Sequence, residues 1–367
     1  MGGLAAAALR RAGAARGLAT YAGRKPVVAI AGSTGAVGVE LLELIKERGF
    51  PFADLKLLAS GRSAGKKTEF MGKSYTVEEL KADSFKGVDI AFFSAGGSRS
   101  KEFCPAAAKA GAVVIDNSSA YRMDPDCPLV VPEVNPEAAL KRPKGIIANP
   151  NCSTIIMNLA VYPLAKAVGV ERVVVSTYQA ASGAGAAAMA ELEQQAKDWV
   201  AGRPLTQDIF KRQYVFNLFS HNSAIDQATG YNEEETKMFK ETRKIFNDPK
   251  IQVTAHCVRV PVLRAHSEAI NVQLKKPLTA EQARAILAKA PGVTVVDDRV
   301  NNKHPEPIDA SGKDNVLVGR IRQDISLPNN MGIDLFVSGD QIRKGAALNA
   351  IQIAELLLSK GLMANKK

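Results

Sequence analysis

From Pro26 onward, short apolar runs alternate with segments of helical periodicity. "VVAIAGSTGAVGVELLELIKERG" begins with a β-branched run, turns on glycines, then places apolar residues at Val39, Leu42, Leu44 and Ile45, with Gly49 at the end. That pattern predicts strand, turn and helix. "LKLLAS", "VDIAFFSAGG" and "GAVVIDNSS" are further short apolar runs ending in small residues. Strands alternating with helical segments predict a parallel sheet with helices on both faces. After residue 151 the texture changes. "ERVVVSTYQAASGAGAAAMAELEQQAKDWV" predicts a strand, a glycine-rich turn and a long helix. "IQVTAHCVRVPVLRAHSEAINVQL" alternates, with Ala255, Cys257 and Arg259 on one face and Val258, Val260 and Val262 on the other. "NVLVGRIRQDIS" and "GIDLFVSGD" predict two more strands of the same sheet, and "GAALNAIQIAELLLSKG" an amphipathic helix closed by Gly361. The division expected is an α/β domain at 26–150, a mixed α/β domain at 151–339, and a segment at 340–367 whose helix returns to the first domain.

Composition adds little to the fold but restricts the function. With 367 residues, 46% hydrophobic and 23% charged, the chain reads as globular and large enough for two domains. It contains no apolar run of 18 residues, so no membrane span is expected. The net charge of +11 is concentrated at the start. Residues 1–25 carry Arg10, Arg11, Arg16, Arg24 and Lys25 and no acid, which leaves +6 for the remainder. An Ala/Arg-rich, acid-free leader resembles an organelle transit peptide and stands outside the fold. The remaining charge suits a binder of phosphorylated anions. Nucleic acid as a partner is disfavoured by 6% aromatics and mixed charge.

Two motifs carry chemistry. "GSTGAVG" places Gly32, Gly35 and Gly38 between a strand and a helix, where backbone N–H groups can approach a pyrophosphate. This makes 26–150 a Rossmann-type dinucleotide-binding domain. The second strand ends in "ASGRSAGKK", with no carboxylate from there to Glu69 to take a ribose 2′-hydroxyl, whereas Ser60, Arg62 and Ser63 could hold a 2′-phosphate, so NADP is the expected cofactor. The second motif is "NPNCSTIIM". Ile155, Ile156 and Leu159 form an apolar stripe behind Cys152, placing the thiol in the first turn of a helix, where the dipole favours thiolate. Cys104, Cys127 and Cys257 lack such a setting and read as buried thiols, and no cysteine spacing suggests a metal. A cysteine nucleophile needs a proton-handling partner. Of His221, His256, His266 and His304, His266 stands out near the end of a β run, close to Glu268. Gln179 and the "NEEETK" cluster at 232–237 are further polar candidates; the cluster also reads as a solvated helix start.

"GSTGAVG", "FFSAGGS", "DNSSAYRM", "VPEVNP", "NPNCSTIIM", "STYQAASGAG", "YNEEETK", "RVPVLRAHSE" and "GDQIRKGAALNA", in this order, cover the chain from Val27 to Leu358. In these the chain resembles aspartate-semialdehyde dehydrogenases, most closely the branch of plants, algae and many bacteria. The resemblance implies reduction of 4-phospho-L-aspartate by NADPH through a cysteine thioester, in the biosynthesis of lysine, threonine, methionine and isoleucine. It makes Cys152 the nucleophile, His266 the general acid/base and Gln179 the substrate-orienting glutamine. Arg259 would pair with the substrate α-carboxylate and Glu234 with its amine, while Arg122, Lys237 and Asn151 would lie about the phosphate. The cofactor positions would be Gly32, Ser33, Thr34, Gly35, Ala36, Val37, Ser60, Arg62, Ser63, Ser182, Gly183 and Gln341. It further implies no metal, a homodimer or homotetramer formed through the second domain, and a plastid address, with the mitochondrion as the alternative.

Overall fold

The computed structural model describes residues 24–361. The leader expected over 1–25 lies, apart from Arg24 and Lys25, outside the described residues. Arg24 grips Asp89 with both terminal nitrogens, at 2.7 and 2.6 Å, so a leader boundary after residue 25 cuts into a contact of the folded domain.

The chain divides into two compact units. The first comprises the described residues up to Pro150 together with those from Ala346 onward. Its strands are β1 (Val27–Ala31), β2 (Asp54–Ala59), the hairpin β3 (Lys67–Phe70) and β4 (Lys73–Thr76), then β5 (Glu78–Glu79), β6 (Ile90–Phe93), β7 (Val113–Asp116) and β8 (Ile146–Ala148). Six of them form an all-parallel sheet in the order β5-β2-β1-β6-β7-β8. This is the doubly wound dinucleotide-binding order, reversing direction between β1 and β6. Both faces are covered, as a parallel sheet requires. Val28, Ile30, Leu57 and Phe92 enter one core, while Ala29, Ala31, Ala91 and Phe93 enter the other. Helix α1 (Ala36–Glu47) closes the first core with Leu41, Leu42, Leu44 and Ile45, and α2 (Gly97–Lys109) supplies Cys104 and Ala107 to the second. Val39, expected on the buried stripe, is 51% exposed. Gly38 is pressed against the preceding turn, and the rotation of about 100° per residue carries Val39 outward.

The second unit, Asn151–Gly345, starts with α3 (Cys152–Val168). There follow β9 (Val170–Gln179), α4 (Ala186–Val200), β10 (Phe219–Ser220), α5 (Glu233–Phe246), β11 (Gln252–Arg259) and β12 (His266–Leu274). Then come α6 (Ala280–Leu287), β13 (Val293–Val295), α7 (Pro307–Ala310), β14 (Val316–Gln323) and β15 (Gly332–Gly339). The seven strands form one mixed sheet in the order β10-β11-β9-β12-β15-β14-β13. The alternating stretch at 251–274, read from sequence as one run, is two strands. The chain leaves the sheet after Arg259, through Pro261, which has no N–H to donate, and returns after Ala265, held at φ +73°. His266 therefore opens a strand instead of lying near the end of one. Because β9 and β11 are parallel and β12 runs against them, Gln179, Arg259 and His266 share one end of the sheet.

The C-terminal segment departs from the second unit at Ala346, six residues later than the boundary expected at 340. Asp340 ties the intervening residues down by accepting from Arg264, Gly312 N–H and Ile342 N–H. Helix α8 (Leu348–Ser359) then packs into the first unit's core, with Leu348, Ile351, Ile353 and Leu357 fully buried. Detaching it would expose each of these at a cost of about 2 kcal/mol. Among the described residues, no helix is long and apolar enough to cross a membrane.

Candidate active site

Cys152 is the first residue of α3, and the helix start is built to hold it there. Asn151 is the N-cap, its Oδ1 accepting the Thr154 N–H at 3.1 Å, and its own N–H donates to Glu241 Oε2 at 2.6 Å. Behind the thiol, Ile155, Ile156 and Leu159 are buried, so the apolar stripe anchors the helix while Cys152 stays partly accessible. Gly345 packs directly on it: a Cβ there would stand 2.8 Å from the Cys152 Cβ. The other three cysteines are fully buried, and burial pushes the thiols of Cys104 and Cys257 up, away from thiolate.

His266 faces this region as a hydrogen-bond donor. Its Nδ1 accepts the Ala180 N–H at 3.1 Å, so the neutral ring carries its proton on Nε2. That Nε2 is buried and has no partner among the described residues. Burial, reinforced by the positive charge of Arg259, holds the His266 pKa down to about 3. Gly183 leaves the space open, since a Cβ there would meet His266 Nε2 and Arg259 Nη1, each at 3.0 Å.

Arg259 ends β11 on the buried face, and its guanidinium is held on three sides. Nη1 donates to Ala180 O at 3.0 Å, Nε to Asn222 Oδ1 at 3.3 Å, and Nη2 to His221 Nε2 at 2.8 Å. Of its five N–H groups, one on each terminal nitrogen remains, the number a carboxylate takes in bidentate pairing. Gln179, paired with Arg259 across β9 and β11, donates to Ser153 Oγ at 2.9 Å and reaches Glu234 Oε1 at 3.4 Å.

The acid cluster at the start of α5 is resolved residue by residue. Glu235 closes a capping box with Asn232, accepting Asn232 N–H with Oε2 and Cys257 N–H with Oε1. Glu233 is exposed. Glu234 alone turns toward the site, bonded to Asn151 Nδ2 at 2.7 Å and Lys237 Nζ at 3.1 Å. Burial would raise its pKa, but Lys237, His221 and these hydrogen bonds outweigh that and hold it at about 2. The solvated helix start expected as the plain reading of this cluster is not what forms: Glu234 and Glu235 are both buried.

In the first unit the glycine loop fits a dinucleotide. Gly32 sits at φ +91°, and a Cβ there would stand 2.3 Å from Ser94 O, at the point where the strand order reverses. A Cβ on Gly38 would lie 2.3 Å from Gly32 O, so the two glycines together allow helix and turn to close up. Thr34 and Gly35 are exposed, with Ala36 and Val37 half-buried behind them. Ser33 is engaged otherwise, its amide and hydroxyl both donating to Leu58 O. After β2, Ser63 N–H donates to Ser60 O, and the exposed Arg62 makes no hydrogen bond or ion pair among the described residues.

Residues 27–142 match the family model described as semialdehyde dehydrogenase, NAD binding domain, and residues 161–344 match semialdehyde dehydrogenase, dimerisation domain. The chain is 58% identical to the aspartate-semialdehyde dehydrogenase of Synechocystis sp., over 91% of this chain and 98% of that protein. It is 54% identical to that of Aquifex aeolicus, over 92% and 99%. Aspartate semialdehyde dehydrogenase II from Vibrio cholerae, solved in complex with ASA, superposes with a TM-score of 0.88 at 48% identity, covering 91% of this chain and 98% of that one. The chain belongs to the aspartate-semialdehyde dehydrogenase family.

Within this member of the family, the second unit brings together Cys152, Gln179, Glu234, Lys237, Arg259 and His266 around the end of one sheet. Other expected site residues are engaged differently. Asn151 Nδ2 is occupied by Glu234. Gln341 donates to Ser182 Oγ and accepts the Ala265 N–H, so these two expected cofactor residues brace each other. Arg122 belongs to the first unit, where Asn149 O and Asn117 O each accept from it at 2.9 Å. One carboxylate went unremarked in the sequence, and another was noted there only as a neighbour of His266. Glu79, brought alongside Ala59 by the pairing of β2 with β5, places a carboxylate beside Gly61, neutralised by Lys81 at 3.1 Å. Glu268 is fully buried two residues beyond His266, opposite Thr177, and neither of its oxygens has a partner among the described residues.

Burial raises the Glu268 pKa well above 4.5, so the folded protein holds it as the neutral acid. The unfolded chain releases that proton above about pH 4.5, so the stability associated with it is full at low pH and is lost as pH rises. Glu268→Gln keeps the shape without the titration. It is expected to raise the Tm over the parent enzyme more at pH 8 than at pH 5; equal shifts in thermal scans at the two pH values would contradict a neutral Glu268.

Proposed function

We propose that this enzyme uses Cys152 to reduce 4-phospho-L-aspartate to L-aspartate 4-semialdehyde, with NADPH as reductant and release of phosphate. The supporting observation is a nucleophile, a buried N–H donor, two guanidinium donors and a carboxylate gathered at one end of the second unit's sheet. These are what a thiol-based reaction on an α-amino acid requires. Cys152 thiolate attacks the acyl carbonyl, phosphate leaves, and a thioester remains on the sulfur. A bound NADPH supplies the hydride that reduces the thioester. His266 Nε2–H bonds the oxyanion at each tetrahedral stage, and collapse of the last one returns thiolate and frees the aldehyde. With Nδ1 accepting from Ala180, the resting His266 enters this sequence as a hydrogen-bond donor through Nε2–H and has no free lone pair to take the Cys152 proton. Arg259 holds the α-carboxylate and Glu234 the amine, while Lys237 offsets the charge of the phosphate. The resemblance gives Arg122 that last role as well.

The Gly32 to Val37 loop would hold the pyrophosphate and Ser60, Arg62 and Ser63 the 2′-phosphate. Arg62→Ala should weaken NADPH binding about 30-fold and NADH binding less than about threefold, because the guanidinium meets only the extra phosphate. Equal losses in fluorescence titrations would refute that assignment. The reaction as a whole is tested in reverse. NADP should be reduced beyond one equivalent per active site by L-aspartate 4-semialdehyde only when inorganic phosphate is added, because phosphate discharges the thioester; a preference for glyceraldehyde 3-phosphate would overturn the reading. The family model's dimerisation domain supports a homodimer or homotetramer, which light scattering distinguishes. The leader is assigned to plastid delivery, against which a mitochondrial pattern for a fluorescent fusion of residues 1–25 would count.

A further inference from the structure

We propose that His221 is a positioning residue: a neutral imidazole of one fixed tautomer that aims the guanidinium of Arg259 and ties it to the start of the helix carrying Glu234. The proposal rests on the role given above to Arg259 in holding the substrate carboxylate.

The stronger of two competing contacts fixes the arrangement of protons. A guanidinium nitrogen cannot accept a hydrogen bond, so the 2.8 Å contact between Arg259 Nη2 and His221 Nε2 requires a lone pair on Nε2. The ring proton then sits on Nδ1, 3.0 Å from Ser223 Oγ, to which it donates. The Ser223 N–H also lies 3.2 Å from Nδ1. It could claim that nitrogen only in the opposite tautomer, which would press an N–H of His221 against the cation, and the shorter, charge-assisted contact decides between them. Ser223 Oγ in turn accepts the Glu234 N–H at 3.3 Å. Asn222 holds Arg259 Nε with its own side-chain oxygen. Three consecutive residues, His221, Asn222 and Ser223, thus fix both the carboxylate-binding fork and the residue assigned to the amine.

The backbone under this segment is itself constrained. β10 pairs antiparallel with β11, Phe219 opposite Arg259, and His221 N–H extends the ladder to Cys257 O at 2.9 Å. The charged groups facing the ring are Arg259 from β11 and Glu234 and Lys237 from α5. Burial lowers the His221 pKa; Glu234 opposes this, Arg259 and Lys237 add to it, and the result is about 4. The imidazole is therefore neutral across the working range. His221 lies 38 residues from Arg259 in sequence, with no local motif to connect them.

His221→Ala should raise KM for L-aspartate 4-semialdehyde about 10- to 100-fold with kcat changed less than about threefold, because the contact serves binding of substrate and transition state alike. His221→Gln, whose amide oxygen can accept from Arg259, should recover most of the loss. KM for phosphate and affinity for NADP should not move. An aldehyde lacking the α-carboxylate should be turned over equally poorly by the parent and His221→Ala enzymes. Equal losses with both aldehydes, or a His221→Ala enzyme with normal KM, would overturn the proposal. An independent readout is ¹⁵N NMR of the resting enzyme, expected to show an unprotonated Nε2 at pH 7; a protonated Nε2 would also overturn it. A parent enzyme inactive on L-aspartate 4-semialdehyde would instead sink the functional reading, leaving the tautomer to be decided by the NMR signal.

Discussion

Cys152→Ala is expected to lower kcat at least about 10⁴-fold while leaving the fold and NADPH affinity in place. No other thiol can substitute. Cys104, Cys127 and Cys257 are fully buried, and burial holds the first and last as neutral thiols. The structural cost is small because Cys152 is only partly buried, and the helix start is fixed by Asn151 and Glu241 independently of the sulfur. The glycine loop proposed to hold the cofactor depends for its geometry on Gly32, Gly38 and Ser94, and no atom of Cys152 enters it. Stopped-flow turnover, NADPH titration and thermal melting separate these effects. Retained turnover would remove Cys152 from the chemistry, and lost NADPH binding would mean the variant had failed for another reason.

Arg259→Lys should reduce kcat/KM about a thousandfold, equivalent to about 4 kcal/mol. Charge is conserved, so the loss reports geometry. The guanidinium answers Ala180 O, Asn222 Oδ1 and His221 Nε2 and still has a donor on each terminal nitrogen. An ammonium has three donors on a single atom and cannot reach three separated acceptors and a carboxylate at once. The cation would also lose its place over the Phe210 ring, 5.6 Å from its centroid. Steady-state kinetics on L-aspartate 4-semialdehyde decides the matter: near-normal values would show that the carboxylate is bound elsewhere.

What the sequence made legible was local. An apolar stripe behind an Asn-Pro-Asn turn is enough to place Cys152 at a helix start, and glycines between a β-branched run and a helix are enough to place the dinucleotide loop. What it hid depends on pairings across the chain. Glu233, Glu234 and Glu235 are equivalent in composition; only the capping box with Asn232 and the bond to Cys257 N–H assign Glu235 to structure and leave Glu234 for the site. Alternation ran unbroken through 251–274, and nothing in its period showed that the chain quits the sheet between Arg259 and His266. Helical periodicity likewise put Val39 on the buried face, because it does not register how tightly Gly38 approaches the turn. His221 carried no motif, and its significance arises only where β10 pairs with β11.

The central claim is that Cys152 carries the acyl group. It is tested most directly by mass spectrometry of the enzyme mixed with L-aspartate 4-semialdehyde and NADP in the absence of phosphate. The account predicts an aspartyl adduct on the peptide containing Cys152, discharged when inorganic phosphate is added. An adduct on another residue, or active enzyme that forms none, would contradict it.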